Sequence, residues 1–167
     1  MRTIINAVAG AALVAGCSGE SAQQQNAVEE TAKAPEPGEY ELTANVDQVR
    51  STDKTTPATS LKAGAAAPAK RACVAADGAL DPKLFAEASD TCTVTESYVR
   101  NGRMSVQLRC KRAGQSGDVM QRVDGNFTKD SFEAQIIGST SFGGSGDYAM
   151  TRSATAKRVG DCSAAAK

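Results

Sequence analysis

Apolar residues recur at every second position over several short stretches of this chain, and turn-forming residues separate those stretches. Tyr40, Leu42, Ala44 and Val46 alternate with Glu41, Thr43, Asn45 and Asp47, the period of a strand with one face buried. Val119, Val123 and Phe127 keep an even spacing, and after the turn Thr128 to Ser131 the pattern resumes at Phe132, Ala134 and Ile136. Setting Phe127 opposite Phe132 brings Val123 opposite Ile136 on one apolar side. Gly138 to Asp147, rich in glycine and serine, reads as a longer hairpin loop, and Tyr148 and Met150 open a last strand that runs to about Arg158. One helical signal interrupts the series. Asp81-Pro82 has the form of an N-cap followed by proline in the first turn, which predicts a short helix over Lys83 to Ala88 with Leu84, Phe85 and Ala88 inward. From Ser51 to Arg71 the chain has little pattern and reads as a mobile excursion. Its Lys54, Lys62, Lys70 and Arg71 suit solvent, and secondarily anionic lipid headgroups.

The stretch from Cys92 to Cys110 is a hairpin around Asn101-Gly102. A two-residue turn pairs Arg100 with Arg103 and sets Val94 and Tyr98 on the face of Ser105 and Arg109. A three-residue loop, Arg100-Asn101-Gly102, with Gly102 left-handed in a bulge, pairs Val99 with Arg103. Cys92, Val94 and Tyr98 then share a face with Cys110, Leu108, Val106 and Met104. A slip of one residue flips every side chain, so the apolar pattern selects the second register. Cys92 now lies opposite Cys110, within reach of a disulfide, and Cys73 is left for Cys162. Successive strands joined by short turns predict a mainly β fold: an antiparallel meander forming a twisted sheet or partial barrel, with one short helix and two disulfides.

The amino terminus changes how the cysteines are read. Ile4 to Ala15 is apolar except for Asn6, too short for a span of about 20 residues but suited to a secretory leader. Val14-Ala15-Gly16-Cys17 resembles a bacterial lipobox. That resemblance implies cleavage before Cys17, a lipid on its sulfur and, with Ser18 rather than Asp next, an outer-membrane anchor facing the periplasm. Ser18 to Glu39 is polar, with Pro35 and Pro37 near its end, and cannot bury enough apolar area to order itself. The expected organisation is therefore a leader over 1–16, a flexible tether over 17–37 and a β domain over 38–167. Of five cysteines, Cys17 carries lipid; Cys73, Cys92, Cys110 and Cys162 form an even set, as disulfides in an oxidising compartment require.

Composition removes most chemistry. Histidine is absent, which excludes Ser-His-Asp and Cys-His arrangements and histidine zinc sites. Net charge is zero, so no basic excess suggests nucleic acid. No close cysteine pair suggests a metal, and no motif suggests a cofactor. The glycine cluster Gly143-Gly144-Ser145-Gly146 lacks the Lys-Ser/Thr of a phosphate loop. The carboxylates Asp118 and Asp124, or Asp130 and Glu133, have spacings typical of solvated strand and turn residues.

Several segments together resemble one family. They are Gly38-Glu39-Tyr40-Glu41-Leu42, the lone Cys73 before a short helix, the later cysteine pair, the run Gly125 to Glu133, Met150 and the ending Arg158-Val159-Gly160-Asp161-Cys162. Over residues 38–162 these are similar to an uncharacterised proteobacterial lipoprotein family, domain of unknown function thirty-six-seventeen. The resemblance implies secretion and a small disulfide-containing domain, and it carries no catalytic residue. The expected protein is a non-enzymatic, lipid-anchored envelope protein whose β domain meets protein or envelope components. The partners expected are the membrane, through the lipid on Cys17, and an envelope protein or apolar ligand. The alternative is a carrier of a lipid or other apolar ligand on the concave face of the sheet, lined by Val94, Tyr98, Val106, Leu108, Val123 and Ile136.

Overall fold

The computed structural model describes residues 31–163. The alternating segments form seven strands: β1 (Gly38–Ser51), β2 (Ala66–Val74), β3 (Asp90–Arg100), β4 (Arg103–Arg112), β5 (Gly117–Phe127), β6 (Ser131–Phe142) and β7 (Tyr148–Gly160). They pair antiparallel in the order β2-β1-β7-β6-β5-β4-β3. Strands β3 to β7 are the meander the turns predict, and the β1–β2 hairpin is added on its β7 side. The sheet curls into a half-barrel. Its even-spaced apolar side chains all point to the concave face, where Tyr40, Leu42, Val46, Val106, Leu108, Val119, Val123, Phe132 and Ile136 are at most 1% exposed.

A half-barrel leaves two free edges, β2 and β3, and an uncovered concave face. Residues 75–89 cover the face. They leave β2 at one end of the sheet, cross the concave face diagonally and enter β3 at the other end. We call this segment the strap. Leu84 and Phe85 are completely buried beneath it, and Phe85 packs on Phe132, which itself stacks on Tyr40 with ring centroids 6.2 and 6.0 Å apart. Burying each such side chain contributes roughly 1.5–3 kcal/mol. The Tyr40 hydroxyl donates to the carbonyls of Glu36 and Lys129, both at 3.0 Å, so the most buried ring in β1 keeps its polar tip satisfied.

Both disulfides form as the register requires, Cys92–Cys110 and Cys73–Cys162. The hairpin between β3 and β4 nevertheless corrects the turn. Asn101 and Gly102 both have positive φ, 52° and 74°, and Arg100 pairs with Arg103, so the connection is the two-residue type I′ turn that Asn-Gly favours. The extra residue lies instead at Thr95, where the pairing shifts between Val94 and Glu96. Beyond that bulge Val94 meets Leu108 and Cys92 meets Cys110; before it Tyr98 meets Ser105 and points outward, 51% exposed. Turn chemistry fixed one end of the hairpin and the disulfide the other, and the bulge absorbs the difference.

Four further expectations are corrected. Residues 66–71 belong to β2, with Arg71 paired to Glu41 at 2.6 Å, so the excursion is shorter than Ser51 to Arg71. The predicted helix is only a 3₁₀ turn, Pro82–Leu84, capped by Asp81, which accepts from the Lys83 amide at 2.8 Å. Ala86 is buried and Ala88 is exposed, because an extended strap buries successive residues rather than a helical face. β6 continues to Phe142, leaving a loop of residues 143–147. Residues 31–37, expected in the tether, are fastened to the domain: Ala32 and Lys33 carbonyls accept from the Gly102 and Asn101 amides, and the Glu36 amide donates to Lys129.

Cys73–Cys162 closes 89 residues and Cys92–Cys110 closes 18. Replacing each pair by serine is expected to lower unfolding free energy by about 4.5 and 3 kcal/mol respectively. Urea titrations of the two double variants check this, and equal losses would show that loop length is not what sets them.

Candidate functional site

Three strands carry a polar residue where the alternation calls for an apolar one. β4 runs inward as Met104, Val106, Leu108, Cys110 and then Arg112; β5 as Val119, Gln121, Val123; β7 as Tyr148, Met150, Arg152, Ala154. Arg112, Gln121 and Arg152 are accordingly buried, at 7%, 3% and 4% exposure. Arg152 sits within a cross-strand row, Val46-Arg152-Ile136-Val123-Val106, that is otherwise aliphatic.

The opposite charges come from the strap and from the start of β3. Glu87 lies on the strap, Asp90 opens β3 directly across from Arg112, and Arg112 meets both. Its guanidinium is bidentate on Asp90, with Nε 2.7 Å from Oδ1 and Nη2 2.9 Å from Oδ2, and Nη2 is 2.9 Å from Glu87 Oε1. Nη1 donates to the Ala58 carbonyl, and the plane lies 5.6 Å from the ring centroids of Phe142 and Tyr148. Glu87 also accepts from the Tyr148 hydroxyl and, at 2.6 Å, from Thr59 Oγ1. Burial opposes the charge on Arg112, but the Asp90 hydrogen bonds and the Glu87 charge outweigh it and hold its pKa above the ordinary value. Burial first, then the Glu87 charge, raises the Tyr148 phenol, which stays protonated as the donor. The cluster is a latch: it joins strap, β3, β4, β7 and the 52–65 loop in one network.

Arg152 is held differently. Its Nη2 donates to the Phe85 carbonyl at 2.8 Å and approaches Gln121 Oε1 at 3.4 Å. Its Nε is buried with no hydrogen-bond partner. Burial lowers its pKa, opposed by the charge of Glu87, which stands beyond salt-bridge distance. The sequence signal for all three residues is present in the alternation, but a lone polar residue in a strand reads as solvent-exposed unless its partners are known to be nearby.

The candidate residues read from the sequence are dispersed. Asp118 pairs with Lys111 at 2.9 Å, Asp124 with Arg122 at 2.6 Å, and Asp130 accepts from Thr128 at 3.0 Å; Glu133 is exposed. The glycine loop at 143–147 presents its amides to the chain's own carboxylate: Gly146 and Asp147 donate to Asp53 Oδ2 at 2.8 and 3.0 Å. Hydrogen bonds from Thr55, side chain then backbone, and from this loop hold Asp53 well below the usual carboxylate range. Of the carrier lining, Val106, Leu108, Val123 and Ile136 are core under the strap, whereas Val94 and Tyr98 are 40% and 51% exposed. Cys17 lies outside the described residues. Among those residues no group of three His, Cys, Asp or Glu side chains is placed to hold a metal.

Together these features define a disulfide-stapled antiparallel half-barrel whose concave face is closed by its own strap. The chain belongs to the family described as protein of unknown function (DUF3617), whose profile matches residues 35–162. No curated protein and no solved structure matches it.

Breaking the latch from one side leaves a buried charge without its partner. Asp90→Asn is expected to destabilise by about 3–5 kcal/mol, read from urea unfolding, whereas a loss under 1 kcal/mol would show that Glu87 alone suffices. Tyr148 gives a second readout. A phenol raised above its ordinary value of about 10 contributes stability that is complete below that pH and is lost as pH rises through the folded value. Tyr148→Phe should therefore flatten the alkaline fall in stability above about pH 10, and the slope from Tyr40, which burial also raises, should remain.

Proposed function

We propose that this is a non-enzymatic lipoprotein of the cell envelope, held by lipid on Cys17 in the outer membrane and presenting a small periplasmic β domain to protein or envelope components. The observation that carries the reading is how the domain's charged groups are used. Glu87, Asp90, Arg112 and Tyr148 are bonded to one another across the strap, an arrangement that fixes a surface rather than offers a reactive group. The outward side remains for contact, with Tyr98, Ile137 and Val159 as exposed large apolar residues, and Val94 is exposed at the β3 edge opposite Leu108. The lipobox-like Val14-Ala15-Gly16-Cys17 supports the anchor, and two disulfides among the described residues suit an oxidising compartment.

A second reading, a carrier of an apolar ligand, draws on one feature: the concave side of the sheet is filled by a segment outside the sheet, through Leu84 and Phe85. A ligand would have to replace those two side chains. Extra mass lost on denaturation in native mass spectrometry would favour the carrier.

Cell fractionation tests the anchor. Cys17→Ala is expected to move the protein from membranes to the soluble periplasm; a variant that stays in the membrane fraction overturns the lipid attachment.

A further inference from the structure

A cavity of about 50 Å³ opens between β2, the 52–65 loop and the strap, lined by Leu61, Ala67, Lys70, Ala86, Glu87 and Arg152 among others. Its inner wall includes Arg152, 4% exposed, whose Nε has no partner. A buried donor left unbonded costs about 1–3 kcal/mol, and more when charged. The usual remedy is a carboxylate, which a guanidinium binds as a fork. The carboxylate that lines the same cavity, Glu87, is already committed to Arg112, Tyr148 and Thr59. The lining therefore carries two cations, Lys70 and Arg152, against one spent anion, and the rest of the wall named here is small and aliphatic. The space exceeds the 10–15 Å³ or so that one water needs, and it matches a carboxyl group with a short apolar stub.

We propose that this cavity is a binding site for a carboxylate, with Arg152 Nε–H as the donor at its base, Lys70 as the second cation and Leu61, Ala67 and Ala86 around the carbon next to the carboxyl group. The carboxylate is either that of a small free acid or the head of a longer acyl chain leaving through the mouth. The site does not depend on the lipid anchor at Cys17.

The test is a titration of the full chain in detergent with sodium acetate and, separately, sodium dodecanoate, following the arginine Nε–H resonances by ¹H–¹⁵N NMR; loss of one resonance in Arg152→Gln assigns the signal. A saturable shift of the Arg152 resonance with acetate is expected, and a tighter one with dodecanoate identifies an acyl chain as the source. Ala67→Leu, which fills the cavity without touching the latch, should weaken binding by at least about tenfold. An unmoved Arg152 resonance with both acids means that the cavity holds water only and overturns the proposal. A shift that survives Ala67→Leu also overturns it, because the acid would then bind elsewhere. Arg152→Gln is used only for assignment, so a folding defect in it leaves the wild-type titration and Ala67→Leu decisive.

Discussion

A curved sheet that does not close must cover its concave face with something, and here the covering is a single extended crossing held at its far end by charge. The strap has one 3₁₀ turn, Pro82–Leu84, and its own hydrogen bonds are short-range turn bonds such as those from Gly78 to Ala75 and from Leu84 to Asp81. Near β2 it is tied by the Val74–Leu80 bridge and by the Asp81 amide on the Cys73 carbonyl. At the other end its fastening is Arg112 between Asp90 and Glu87. Removing these charges from water is expensive, and a well-packed apolar set of the same volume would often be as stable. What the ion cluster adds is direction: Asp90 faces Arg112 across β3 and β4, and the strap brings Glu87 to the same guanidinium along the path that packs Phe85 on Phe132, so packing and pairing agree on one path.

That dependence explains which parts of the architecture were legible in the sequence. The pairings Phe127–Phe132 and Val123–Ile136 follow from alternation and one turn, and both disulfides follow from placing Cys92 against Cys110. These are relations between neighbours in sequence, where period and turn length decide. The hairpin turn was misread for an instructive reason. The sequence reading places the irregularity at the turn, as a Gly102 bulge, and carries one register through the whole hairpin, whereas Asn101-Gly102 and the cysteines each impose their own, reconciled at Thr95. β2 is not evident over residues 66–71 because none of them is fully buried, so its alanines and lysines show no strict alternation.

The polar interior was less legible. Arg112, Gln121 and Arg152 occupy inward positions in strands whose periodicity was otherwise read correctly, and the break in pattern is itself the signal. The Asp90–Arg112 contact follows from the hairpin register, two residues beyond Cys92 and Cys110; the rest required knowing that Glu87 approaches from the strap, a contact between residues more than twenty positions apart that no local rule contains. The Asp53 contacts with Gly146 and Asp147 are of the same kind, a long-range satisfaction of backbone amides that composition alone presents as a glycine-rich loop.

The direction in which the strands run has a mechanical consequence. The chain enters the domain at the end of the sheet that bears Gly38, the Asn101-Gly102 turn and Lys129, and the latch and the glycine loop lie at the opposite end. β1 starts at the entry end and is hydrogen-bonded on both sides, to β2 and β7. A pull on the amino-terminal segment against a partner gripping the far rim would load β1 along its length. The inter-strand bonds lie across that axis, so both rows are sheared together rather than opened one at a time, and the domain is built to bear tension along the line on which it is entered.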